Sequence, residues 1–225
     1  MNAGDLAALE SHYAGRRVLV TGHTGFKGSW LVAWLHRLGA EVSGISLAPE
    51  PHQFPLATLV ADRVELAAEV IGDITDGVAV ASAFEQARPQ TVFHLAAQPL
   101  VRASYERPVE TYAVNVVGTV QVLETARHAG TETIVCVTTD KCYENVEQMW
   151  PYRETDPMGG FDPYSASKGA AELAIASYRR SYFGPGSGIG CASARAGNVV
   201  GGGDLSPDRL VPDIYRAMVG EHDLV

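Results

Sequence analysis

Residues 17–28 read Arg17-Val18-Leu19-Val20-Thr21-Gly22-His23-Thr24-Gly25-Phe26-Lys27-Gly28, and this run decides the fold. Its first five residues form a short apolar, β-branched run, as a buried strand requires, and an amphipathic stretch begins after the glycines. The predicted unit is strand, glycine loop, helix. Glycines at 22, 25 and 28 allow a tight turn, a close approach of backbone to a pyrophosphate, and tight packing of helix on strand. Free N–H groups and the dipole at the helix start attract that anion. The spacing is GxxGxxG, a variant of the dinucleotide pattern GxGxxG. Lys27 sets a cation in the first helical turn against the macrodipole, so it is either solvated or answers a negative ligand.

Outward from this unit, strand and helix alternate with short joins, the signature of a doubly wound parallel α/β sheet of the Rossmann type. Strands are predicted at 17–21, 41–46, 65–71, 91–95, 133–138 and 189–194, and helices at 26–38, 76–87, 109–128, 164–182 and 208–219. On the first helix Trp30, Leu31, Trp34, Leu35 and Leu38 share a face, which assigns the tryptophans to the core, and Gly39 stops the helix. From Tyr143 to Pro163 no period is visible, and joins this long inside a compact domain usually carry function. Residues 1–16 read as an N-terminal extension, 17–200 as a dinucleotide-binding domain with the active site, and 201–225 as the start of a substrate-binding region.

Composition narrows the function classes. With 225 residues, 46% hydrophobic and 19% charged, the chain can bury a full core in one domain or one plus a fragment. No window approaches the roughly 18 apolar residues of a membrane span, and no signal pattern opens the chain, so a soluble cytoplasmic protein without a membrane partner is expected. Cys136, Cys142 and Cys191 lack a CxxC pairing and read as reduced core thiols. A net charge of −9 without a basic run argues against nucleic acid, and an anionic substrate then needs a local positive pocket. His94 reads as a packed strand histidine, not a metal ligand, since no partner stands at ligand spacing.

Tyr164 and Lys168, in the run DPYSASK at 162–168, share a face if a helix carries them. An ammonium beside a phenol lowers its pKa, which lets the tyrosine take a proton from a substrate hydroxyl. YxxxK alone is a common accident. Its company matters: Thr139, Asp140 and Lys141 end the fifth strand, at the sheet edge where ligands bind. Taken singly, each also reads as part of a polar strand end with an Asp turn. After the second strand, the acidic residue that binds an adenosine ribose is absent; Ser46 and Glu50 are weak substitutes. No Arg or Lys from 46 to 53 answers a 2′-phosphate, so NAD is favoured over NADP by elimination. Asp73 is either an adenine contact or a turn cap.

The runs TGHTGFKGSW (21–30), HLAAQPLVR (94–102), TDKCY (139–143), PMGG (157–160), DPYSASK (162–168) and RAGNVVGGGD (195–204) together resemble the extended short-chain dehydrogenase/reductases, and within them the CDP-glucose 4,6-dehydratases. The likeness runs from about Arg17 to the end. It implies a tightly held NAD that ends each turnover as it began, contacted by Gly22, Thr24, Gly25, Phe26, Lys27, Gly28, Asp73, Ile74, Ala96, Ala97, Gln98, Tyr164 and Lys168. It implies a nucleotide-diphosphate sugar as substrate, CDP-glucose favoured, with Arg102, Asn198 and Arg209 facing it and Gln98 and Tyr105 bordering it; Arg102 reads equally as a surface charge. By the same resemblance Tyr164 takes the 4-hydroxyl proton as hydride leaves C4, Thr139 holds that hydroxyl, and Lys168 holds the nicotinamide ribose. Asp140 is the acid that expels the 6-hydroxyl, which requires shielding from water. Lys141 stands where dTDP-glucose dehydratases carry a Glu as C5 base, and it serves only if burial or a neighbouring cation depresses its pKa.

The resemblance further implies that Asn115 ties neighbouring backbone and supports the tyrosine, and that the chain forms a homodimer through its two long helices. Relatives of this type are longer, so the C-terminal substrate subdomain is expected to be largely missing. If residue 225 is the natural end, NAD binding survives and turnover is very weak or absent. Two alternatives stand beside the dehydratase: another nucleotide-sugar epimerase or reductase, and a non-catalytic NAD-binding module. Intact Tyr164, Lys168 and Asp140 speak against the module, and Asp140-Lys141 against a simple 4-epimerase.

Overall fold

The computed structural model describes residues 3–49 and 55–220; Glu50, one of the weak ribose candidates, lies outside them. Its centre is a sheet of six parallel strands, β1 (Arg17–Thr21), β2 (Glu41–Ser46), β3 (Ala68–Ile71), β4 (Thr91–His94), β5 (Thr133–Thr139) and β6 (Gly190–Ala196), in the order β3-β2-β1-β4-β5-β6. The chain winds outward from β1 to β3, then returns to lay β4 against the other side of β1. That reversal opens a crevice beyond the carboxyl ends of β1 and β4.

Side chains alternate across the sheet and are buried on both faces. Val18, Val20 and Val42 meet Val32 and Leu35 of α2 (Phe26–Arg37) on one face. Leu19, Ile45, Val92 and Ile134 meet, on the other, Val80 and Phe84 of α4 (Gly77–Ala87), Val122 and Leu123 of α7 (Thr119–His128), and Ile175 of α8 (Pro163–Ser181). Truncating the leucines, isoleucines or phenylalanine among them to alanine costs about 2–5 kcal/mol each.

Several expectations change. Trp30 and Trp34 are 51% and 37% exposed rather than core, because the sheet-facing stripe of α2 is Gly28, Ser29, Val32 and Leu35, small where the helix crosses the glycine loop. Trp30 instead donates its indole N–H to the Gly202 carbonyl at 3.0 Å. Three further helices appear, α1 (Ala3–Tyr13), α3 (Pro55–Ala61) and α5 (Val101–Glu106), the last two too short to show a period. The helix expected over 109–128 is α6 (Pro108–Tyr112), a π turn (Ala113–Gly118) and α7 in succession. The final helix, α9, spans Leu210–Met218. Cys136 and Cys142 are buried and Cys191 partly so, all three free thiols. Among the described residues no helix is long and apolar enough to cross a membrane, and no group of His, Cys, Asp and Glu could hold a metal ion.

Candidate active site

The glycine loop is closed by backbone: Gly22 N–H donates to the Ile45 carbonyl at 2.8 Å, and Gly25 N–H to the Gly22 carbonyl at 3.1 Å. Gly22 has φ +73°, and a Cβ there would lie 2.9 Å from the Ala96 backbone. A Cβ on Gly28 would lie 2.0 Å from the Gly22 oxygen, so neither position accepts a side chain. Thr24 ties the loop to the end of β2 through Ser46 Oγ at 2.6 Å and the Leu47 carbonyl at 3.1 Å.

Beside the loop opens a cleft of about 430 Å³, lined by Gly22, Thr24, Gly25, Phe26, Lys27, Gly28, Asp73, Ile74, Ala96, Ala97, Gln98, Tyr164 and Lys168, together with Arg209. Residues far apart in the chain thus share one space of ligand size. Asp73 also caps its turn, accepting from Thr75 N–H at 2.8 Å, as the cap reading has it. The Gln98 side chain is already engaged, donating to Thr111 Oγ1 at 2.9 Å and accepting from Leu100 N–H at 2.6 Å. Arg102 lies off the cleft, 78% exposed and paired with Asp208, and Asn198 and Tyr105 are exposed and also outside the lining.

Asp162 starts α8, accepting from Ser165 N–H at 2.9 Å and Ser165 Oγ at 2.6 Å, with Pro163 in the first turn. Tyr164, Lys168 and Glu172 then fall four apart along one face. Asn115, in the π turn, donates to Gln98 O at 3.1 Å and Ser167 Oγ at 2.9 Å and accepts from Gln98 N–H at 2.9 Å. Ser167 donates on to Tyr164 O at 2.7 Å, and Ser104 Oγ accepts from Tyr164 N–H at 3.1 Å. The tyrosine's backbone is therefore fixed from both sides.

The electrostatics differ from the expectation in one respect. Burial raises the Tyr164 phenol pKa above its ordinary value, and the hydrogen bond with Thr139 and the charge of Arg209 only partly oppose it. Lys168 does not dominate the phenol; desolvation does, and the largest charge effects come from Arg209, Asp140 and Asp162. Lys168 itself, 7% exposed, is pushed down to about 8 by burial and then by Lys27. Lys27 is lowered in turn by burial and by Arg209. Three cations thus crowd one cleft of an acidic chain, and the Arg209 Nε is buried with no partner. Lys27, Lys168 and Arg209 form a local positive patch for an anionic ligand, in a lining that also holds Arg107 and the carboxylates Asp73, Glu110 and Asp204. His94, between Thr21 Oγ1 at 2.7 Å and Thr119 Oγ1 at 3.0 Å, is held neutral by burial with a pKa of about 3.

Thr139 ends β5 and caps a 3-10 turn (Asp140–Cys142); its hydroxyl donates to Asp140 Oδ1 at 3.1 Å and accepts from Lys141 N–H at 3.3 Å. Thr139 is buried against Tyr164, whereas Asp140 and Lys141 are exposed. The shielding of Asp140 and the burial of Lys141 are thus not found, and neither residue is among the lining of the cleft. Glu172, which sequence reading passed over, is a buried carboxylate one turn beyond Lys168; extending the four-residue period would have found it. Arg107, Glu110 and Ser206 also line the cleft, with no motif to mark them.

The sequence profile of the NAD dependent epimerase/dehydratase family matches residues 18–225. CDP-glucose 4,6-dehydratase of Salmonella typhimurium is 49% identical over 223 residues, covering 96% of this chain, which spans 61% of that protein's length. Among solved structures, an epimerase of Methanothermobacter thermautotrophicus superimposes with TM-score 0.82 at 28% identity, over 95% of this chain and 62% of that one. A dTDP-glucose 4,6-dehydratase of Streptomyces venezuelae, solved with NAD bound, gives TM-score 0.78 at 28% identity, over 91% of this chain and 62% of that one. A profile that matches nearly the whole of this chain, on a parallel sheet whose switch point carries the glycine loop, means that the chain belongs to the NAD dependent epimerase/dehydratase family, with NAD as its cofactor.

Proposed function

We propose that the chain carries the cofactor site and the acid–base group of a nucleotide-sugar 4,6-dehydratase, a lyase that acts on CDP-glucose. One observation supports this above others: Tyr164 stands against Thr139 in the cleft that the glycine loop lines, with Asp140 and Lys141 as the next two residues. The 49% identity to a CDP-glucose 4,6-dehydratase favours that substrate.

The cleft fits the cofactor, since the glycine loop lines it, Lys168 offers a buried cation and the Arg209 Nε is buried there without a partner. Bound there, NAD supplies a reversible store for hydride. Gly22 to Gly28 hold its pyrophosphate, Asp73 and Ile74 its adenine side, and Lys168 the ribose nearest Tyr164. Tyr164 accepts the proton of the sugar 4-hydroxyl, and Thr139 orients that hydroxyl. A ketone at C4 acidifies the C5 proton; Lys141 is its base only once the bound sugar nucleotide buries the amine, and Asp140 protonates the departing 6-hydroxyl. Lys27 and Arg209 offset phosphate charge. Water exclusion over the exposed Asp140 and Lys141 comes with the bound sugar nucleotide itself.

The test is incubation with CDP-, dTDP-, GDP- and UDP-hexoses. The expected outcome is a 4-keto-6-deoxy product from CDP-glucose without net NADH; accumulating NADH would move the reading to a dehydrogenase. We also propose a homodimer in the cytoplasm. Val109, Tyr112, Val117 and Leu173 are exposed on neighbouring α6, the π turn and α8, a face suited to a second copy, and free Cys136 and Cys142 suit a reducing compartment. Sedimentation of Leu173→Glu as a monomer, against a dimeric parent, is the expected check.

A further inference from the structure

Among the described residues Glu172 is the one carboxylate in the buried class, at 3% exposure, and the chemistry above does not use it. An ionised carboxylate out of water is costly unless its lone pairs are met. Here they are. Oε1 accepts from Thr138 Oγ1, and Oε2 accepts from Ser193 Oγ at 2.9 Å and Arg195 Nη2 at 3.0 Å. Burial raises its pKa, and Arg195, Thr138 and Ser193 together outweigh that, so the group stays charged.

Arg195 carries the connection further. Its Nη1 donates to the Tyr143 hydroxyl at 2.7 Å and the Glu154 carbonyl at 3.2 Å, and its guanidinium lies 5.0 Å from the centre of the Tyr143 ring, which stacks on Tyr152 at 5.2 Å. Tyr143 in turn closes the 3-10 turn, N–H to the Asp140 carbonyl at 3.3 Å. The stretch Thr139-Asp140-Lys141 is therefore pinned at both ends by one side chain: before it through Thr138, after it through Arg195 and Tyr143. Tyr164 meets the very next residue, through its hydrogen bond with Thr139, so the strand position that Glu172 clamps adjoins the one the tyrosine touches.

We propose that Glu172 is a positioning residue, which sets residues 139–141 against Tyr164 by clamping Thr138 and, through Arg195, Tyr143. The geometric claim is independent of substrate; its consequence for rate rests on the dehydratase reading. A buried ion pair is poor grounds for stability alone, and fixing one geometry is its better attested use.

The test compares Glu172→Gln and Glu172→Asp with the parent 225-residue chain. In the Gln variant an amide faces the donors of Arg195 and Ser193, so amide exchange at 138–144 should speed up by about tenfold. Exchange over Phe26–Arg37 and Gly77–Ala87 should stay unchanged. NAD affinity should hold within about threefold, and kcat should drop by about a hundredfold with KM nearly constant. The Asp variant, which keeps the charge, should recover most of both. Arg195→Lys, which keeps the charge and loses the two-armed reach, should reproduce the Gln variant's exchange pattern and serves if that variant does not fold. Uniform acceleration across the sheet, unchanged exchange at 138–144, or full kcat in the Gln variant would each overturn the proposal. If the parent turns over no sugar nucleotide, as its partial length relative to its relatives allows, the rate is not read and the exchange pattern alone decides this proposal.

Discussion

The two walls of the cleft are built by different means. The β1–β2 wall is backbone: Gly22 and Gly28 admit no Cβ, and the loop closes on main-chain hydrogen bonds from Gly22 to Ile45 and Gly25 to Gly22. The β5–α8 wall is side chains held by other side chains, from distant parts of the sequence: Asn115 on Ser167, Ser104 under Tyr164, Glu172 on Thr138. The first wall is specified by what cannot stand there and the second by what must meet there. Binding and chemistry should therefore fail separately.

The largest expected effect divides them at Tyr164. Tyr164→Phe removes the hydroxyl beside Thr139 and leaves the glycine loop intact, so turnover should fall by about 10³-fold while NAD affinity stays within about threefold. Single-turnover kinetics and fluorescence titration with NAD measure the two. Equal losses in both would break the division. Gly28→Ala is the converse: its Cβ falls 2.0 Å from backbone that cannot rotate away, and NAD affinity should weaken by about a hundredfold with the circular dichroism spectrum retained. Normal NAD binding by that variant would show that the loop yields, and that the first wall is not rigid.

Lys168 sits where the walls meet, and its burial has a signature in stability. The unfolded chain keeps this proton up to about pH 10.5, whereas burial and Lys27 make the folded protein release it at about 8. Between those values the unfolded state binds more protons, so this contribution to stability rises with pH, is complete above 10.5, and is lost as pH falls through 8. At about 1.4 kcal/mol per pH unit the gap is on the order of 3 kcal/mol. Urea melts at pH 7.5 and 10 should show the rise in the parent and its loss in Lys168→Met; parallel curves would mean that Lys168 is hydrated in solution.

What was legible follows the same division. Strand positions and the glycine loop depend on local pattern, and β1 and β2 match their predicted residues. The tryptophans of α2 misled because residue type was read for burial, where the small residues Gly28 and Ser29 hold the packed stripe. The second wall was legible only as motifs. DPYSASK and TDKCY name its residues, but neither the exposure of Asp140 and Lys141 nor the desolvation that governs Tyr164 can be read from them, since both depend on which remote elements cover each group. Glu172 shows the limit: its partners Thr138, Ser193 and Arg195 come from two other strands.

The smallest expected effect probes how the motif builds its own helix. Asp162 caps α8 through Ser165 while Pro163 fixes the first turn, so the residues that start the helix adjoin the one that reacts. Asp162→Ala should cost about 1 kcal/mol in urea melts. It also removes one of the two carboxylates that raise the Tyr164 pKa, so the phenol should titrate lower even as the helix start loosens. The two effects have opposite consequences for turnover near neutral pH. A variant less stable yet at least as active as its parent would show that the cap serves folding against the chemistry; a loss of activity larger than the loss of stability would show that the position of Tyr164, rather than its acidity, limits the second wall.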